Sequence, residues 1–166
     1  MPIIRLLGFV GGIAGAIALS QFPEFSQQYL QRLGGQADVL TQIEFDFDNA
    51  AATAGMTREA ALADLSGTTF RELHQGDMRE TLIRAERVKA DYTLLSAASP
   101  LERIALPHRF RDTETFAATW RDFRPAMPVT VDGIISALIG FLLGVGLVRL
   151  ALWLLITPFR RPRYDS

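Results

Sequence analysis

The sequence predicts an all-α protein, with two transmembrane helices flanking an extracytoplasmic domain built as a helical hairpin of coiled-coil-like character. Three observations predict it. Residues 6–19 and 133–148 are apolar and uncharged, and after Arg149 the second run resumes through Ile156. The stretch between them is dense in charge and in helix formers. Its apolar residues recur at threes and fours, the period of a helix face. A hydrocarbon layer ~30 Å thick takes roughly 20 apolar residues in a helix. Each end supplies that length if its flanking arginine reaches water.

The chain divides accordingly. Residues 1–21 form the first span and residues 22–128 the helical domain. Residues 129–158 form the second span and residues 159–166 a basic tail. The first run has a rival reading as a secretory signal peptide, since Met1–Arg5 is a short basic start before an apolar core. Its Ala-x-Ala patterns lie inside the run, not after it, and its glycines recur at helix-packing intervals. The reading taken is a retained span.

Both termini carry positive charge: Arg5 at one end, Arg160, Arg161 and Arg163 at the other. By the positive-inside rule both face the cytoplasm. The middle then lies outside it, which in a Gram-negative inner membrane is the periplasm. Long loops translocate largely regardless of charge, so the basic residues of the middle do not oppose this. Arg149, near the end of the second span, reads as a side chain that snorkels to the headgroups. Arg5, Arg149, Arg160, Arg161 and Arg163 are the expected lipid-headgroup contacts.

In lipid, spans associate where small residues let backbones approach. Gly8, Gly12 and Gly15 share one face of the first span, with Gly11, Gly15 and Ala18 beside it. Gly133, Ala137, Gly140 and Gly144 do the same in the second. The stripes predict either a hairpin within one chain or contacts between protomers.

Beyond the first span, Pro23 and Glu24 suit a helix start. A stripe of Tyr29, Leu33, Ala37, Leu40, Ile43, Phe47, Ala50 and Ala54 predicts one long helix, weakened or broken at Gly34-Gly35 and stopped at Gly55. Thr57 caps a short helix over 58–65. A second long helix covers 69–98, with Leu73, Met78, Leu82, Ala85, Val88 or Lys89, Tyr92 and Leu95 on its apolar face. The opposite face carries Arg71, Glu72, Arg79, Glu80, Arg84, Glu86 and Arg87. Pro100 and Pro107 bracket a short helix, and Asp112 caps a segment through Asp122 that carries Phe116, Trp120 and Phe123. Two long helices joined by a short connection predict the antiparallel hairpin.

Chemistry is sparse. The chain has 166 residues, a net charge of −1 and no cysteine. That composition leaves no nucleic-acid footprint and excludes disulfides, thiolate nucleophiles and cysteine-based zinc sites. His74 and His108 stand outside any metal-ligand spacing. Glu44, Asp46 and Asp48 could hold a hard cation, but the glycine turn of a calcium loop is missing. No serine sits in a Gly-x-Ser-x-Gly setting. No catalytic, cofactor or metal residue is assigned, and no cofactor is expected.

The block Ser20-Gln-Phe-Pro-Glu-Phe-Ser-Gln-Gln-Tyr-Leu-Gln-Arg-Leu-Gly-Gly, with Thr119-Trp-Arg-Asp-Phe-Arg-Pro-Ala-Met-Pro-Val-Thr and the glycine-rich span after it, resembles a proteobacterial family of uncharacterised membrane proteins, domain of unknown function 2937. The resemblance covers nearly the whole chain. It implies a small helical inner-membrane protein and transfers no activity. Phe22, Pro23, Phe25 and Tyr29 are expected to meet Trp120, Phe123 and Pro125 beside the membrane. The function expected is non-enzymatic: a structural or accessory protein that self-associates or joins a larger membrane complex. The alternative is an envelope-assembly factor resembling polysaccharide chain-length regulators.

Overall fold

The structure, a computed structural model, describes residues 2–125 and 130–156. All regular structure among them is helical. The chain forms two compact units: residues 1–26 with 124–166, and residues 27–123.

The first unit is a pair of apolar helices, α1 (Pro2–Ser20) and α6 (Val131–Ile156). The helical run that begins with α1, and α6 itself, are each long and apolar enough to cross a membrane. At ~1.5 Å per residue, α6 rises ~39 Å, more than a hydrocarbon core requires. Thr130 caps it, its hydroxyl accepting from the Gly133 amide at 3.1 Å. Leucines cover the outside of the pair: Leu6 is 62 % exposed and Leu142 70 %. Water would resist that much apolar surface and lipid would not.

The second unit is built from α2 (Phe22–Thr53), α3 (Arg58–Asp64), α4 (Thr69–Ala97), two 3₁₀ turns at Glu102–Ala105 and Pro107–Arg109, and α5 (Thr113–Asp122). Side-chain oxygens cap the helices that begin inside it. Thr57 accepts from the Ala60 amide, Thr68 from Arg71 and Asp112 from Thr115. Gly55, at φ +70°, ends α2. The Met56 amide returns to the Ala51 carbonyl and the Gly55 amide to Ala52, both at 2.9 Å, a Schellman close that only a left-handed residue permits cheaply. Along α2 and α4, Gly34 lies against Tyr92 and Glu44 pairs with Lys89, so the two long helices run in opposite directions. Tyr29, Leu33, Ala37 and Leu40 of α2 and Leu82, Ala85, Val88 and Leu95 of α4 make the core, with Leu62 of α3.

Three expectations are corrected. Gly34-Gly35 does not break α2, which runs unbroken from Phe22 to Thr53. A Cβ on Gly34 would stand 2.9 Å from Tyr92 Cε2, so the missing side chain seats a ring of α4, and packing outweighs the propensity cost. The segment before Pro107 is 3₁₀, and Pro107 opens a second such turn. On α4 the expected Leu82, Ala85, Val88 and Leu95 are buried, but the face differs at two positions. Asp91 is inside at 2 % exposure, while Leu73 is 65 % exposed. On α5 the buried side chains are Thr115 and Thr119, and Trp120 is 67 % exposed.

Candidate functional site

The first unit, the pair of apolar helices, is organised by a seam of glycines. A Cβ on Gly12 would stand 2.6 Å from Phe141 Cε2 and 2.8 Å from Val145 Cγ2. One on Gly15 would lie 3.0 Å from the Gly140 carbonyl carbon and 3.2 Å from Gly144 Cα, and would overlap the Gly140 oxygen. Gly11 and Gly144 meet in the same way. The backbones therefore touch, as only glycine allows at these positions. Phe9 and Phe141 flank the seam edge to face, with ring centroids 5.9 Å apart. At Gly8 the seam loosens, and the nearest atoms to a Cβ are Arg149 Nε and Val145 Cγ1, each at 3.9 Å. The empty side of Gly8 is where the arginine side chain passes. Arg5 and Arg149 are both exposed.

Of the predicted packing residues, Gly8, Gly12, Gly15, Gly140 and Gly144 thus come together within one chain. Gly133 is buried in the first turn of α6, and Ala137 is only half-buried. The residue missed is Ser136, fully buried one turn before Gly140, whose hydroxyl has no partner. Serine counts as small in membrane packing, so the spacing 136, 140, 144 was the available signal.

The helical domain holds its own polar centre. Asp91 accepts from Arg109 Nη1 at 3.1 Å and from Arg111 through Nε at 2.7 Å and Nη2 at 3.1 Å. Asp112 caps α5 and takes a two-pronged bond from Arg84, at 2.9 and 3.0 Å. Burial alone would raise the Asp112 carboxyl, but Arg84 and the Thr115 amide outweigh it and hold the group below its usual range. Tyr29 lies between these acids, fully buried, with Phe110 at 4.8 Å and Phe116 at 6.4 Å between ring centroids. Its hydroxyl hydrogen finds no acceptor among the described residues. Burial pushes its phenol from 10 up to about 12, and the Asp112 and Asp91 charges act in the same direction.

A second cluster ties α2 to α3 and α4. Arg58 bonds both Glu44 and Asp48, and Lys89 bonds Glu44. Lys89 foremost, with Arg58, holds Glu44 low against the effect of burial, and Arg58 does the same for Asp48. The spacing of four puts Glu44 and Asp48 on one face, where an arginine and a lysine occupy them. Asp46 turns to Gln42 at 2.8 Å. On α4, Arg84 is drawn inward to Asp112 and Glu114, so it leaves the charged outer face on which the sequence put it.

The juxtamembrane set divides between the units. Phe22, Pro23, Phe25 and Pro125 belong to the first, and Tyr29, Trp120 and Phe123 to the second. Tyr29 packs against Phe110 and Phe116, which lie far away in sequence. The expected headgroup contacts Arg160, Arg161 and Arg163 lie outside the described residues.

The chain belongs to the family described as Protein of unknown function (DUF2937), which matches residues 3–161. No curated protein and no solved structure matches it.

Proposed function

We propose that this protein is a non-enzymatic structural or accessory component of the bacterial inner membrane. Two spans anchor it, both termini face the cytoplasm, and the helical domain stands in the periplasm, where it self-associates or joins a larger membrane complex. One observation carries the reading: α1 and α6 form a pair that is glycine-lined within and leucine-covered without. Such a pair has a bilayer as its natural solvent. The charges of the domain support a structural task. Asp91, Asp112, Glu44 and Asp48 are each taken up by arginine or lysine of the same domain. Phe70, Leu73 and Ile83 stand exposed on α4, and Val39 and Phe45 on α2, which supports contact with a further protein surface.

The test uses full-length protein in native membranes. Crosslinking followed by detergent extraction and sizing is expected to trap a species larger than one chain. A lone monodisperse monomer overturns the association, and recovery in the soluble fraction overturns the anchoring. A reporter fused after Ser166 is expected to be active inside the cell. Activity only outside overturns the orientation.

A further inference from the structure

Arg103 is a buried charge with no carboxylate partner among the described residues. It sits in the first 3₁₀ turn after α4 and is 5 % exposed. Its Nε donates to the Leu95 carbonyl at 2.9 Å and its Nη1 to Gln27 Oε1 at 3.2 Å. Both acceptors are neutral. The adjoining acid is engaged elsewhere. The Ser99 amide donates to Glu102 Oε2 at 2.7 Å, and the Glu102 amide donates to Ser99 Oγ at 3.3 Å. That reciprocal box favours the ionised form of Glu102 and engages it with Ser99. The contrast with the other arginines of the domain core is plain, since Arg58, Arg84, Arg109 and Arg111 all lie on carboxylates.

Burial lowers the pKa of Arg103, yet a guanidinium does not give up its proton in a protein. It carries five N–H donors, of which the two bonds above use two. A buried charge is costly unless an opposite charge meets it. A planar fork with free donors is the group that recognises phosphate best.

We propose that Arg103, positioned by Gln27 and the end of α4, is the anchor of a phosphate-binding site on the helical domain. The phosphate comes from an anionic membrane lipid or from inorganic phosphate in water. The lipid source rests on the membrane reading above, and the inorganic source does not.

Full-length protein in a non-ionic detergent is melted with four additions, followed by circular dichroism. The additions are chloride, inorganic phosphate at equal ionic strength, phosphatidylcholine and phosphatidylglycerol. Wild type is expected to melt higher with phosphatidylglycerol than with phosphatidylcholine, at an apparent affinity at least tenfold greater. Arg103→Met is expected to lose that preference. A response to inorganic phosphate as well, absent with chloride, assigns the site to free phosphate. A response to the lipid alone assigns it to the headgroup. If Arg103→Met does not fold, Arg103→Lys decides, because it keeps the charge and loses the fork and is expected to weaken the preference severalfold. Equal responses in wild type and variant, or no wild-type response to either anion, overturn the site. A soluble protein still stabilised by phosphate overturns the membrane reading and leaves the site standing.

Discussion

Gly140→Ala and Gly146→Ala are the same substitution on the same helix, and the seam predicts opposite results. A Cβ on Gly140 would stand 2.7 Å from the Gly15 carbonyl carbon and 2.7 Å from Leu19 Cβ, with the Gly15 oxygen nearer still. To regain ordinary contact, the helices must part by on the order of 1 Å. A gap of that size forfeits about a quarter to a half of each dispersion contact across the seam. Overpacking of this kind costs ~1–3 kcal/mol. At Gly146 a Cβ meets nothing within 4 Å. The gain in helix propensity from glycine to alanine, about 1 kcal/mol, applies at both positions and cancels in the comparison. Gly146→Ala is therefore expected to be neutral or more stable, and Gly140→Ala to fall ~1–3 kcal/mol below it. The chain has no cysteine. Leu6→Cys and Leu150→Cys, both on exposed positions, can thus carry a donor and an acceptor dye without competing labels. Loss of energy transfer during titration with sodium dodecyl sulfate reads the separation of α1 from α6. Equal midpoints for the two variants would refute the claim that glycine at 140 sets the approach of the helices.

Three further outcomes follow from the helical domain. Asp91→Ala leaves Arg109 and Arg111 facing a buried gap; because Arg111 is half-exposed and can turn to water, the loss in urea unfolding is expected to be ~2–3 kcal/mol, below the ~3–5 of a wholly buried pair, and a loss under ~0.5 would show the pair to be idle. Glu44, Asp48 and Asp112 have lowered pKa values, so their contribution is present above the ordinary carboxylate range and is lost as pH falls below it; Tyr29, raised to about 12, contributes below 10 and loses that contribution as pH rises through 10 to 12, so thermal melts are expected to weaken at both ends and Tyr29→Phe to flatten the alkaline limb alone. Gly35→Ala, with open space around its Cβ, is expected to gain about 0.5–1 kcal/mol, while Gly34→Ala, against Tyr92, gains less or loses, and melting temperatures that rise equally would count against the seat for that ring.

The helices and their caps were legible because they depend on local chemistry. Thr57 and Asp112 sit where their oxygens accept from amides three residues on, and Gly55 has the backbone freedom that the close of α2 demands. The glycine stripes were legible in the same way, as a spacing. The polar centre was not. Asp91 occupies a position of α4 that a hydropathy pattern reads as outward, and its partners lie 18 and 20 residues away in irregular chain. No period links them. On α5 the spacing of Phe116, Trp120 and Phe123 did not show that Thr115 and Thr119 are the buried side chains, because that is set by packing against other elements.

The amino-acid order by itself determined that the ends are greasy helices and the middle a charged helical one, since apolar length, period and capping act within a few residues. Only the tertiary structure decided which glycines touch, which acid goes inside and which buried arginine rests on neutral acceptors. Those outcomes are set by distances between groups far apart along the chain, as Asp91 is buried where Arg109 and Arg111 both reach it.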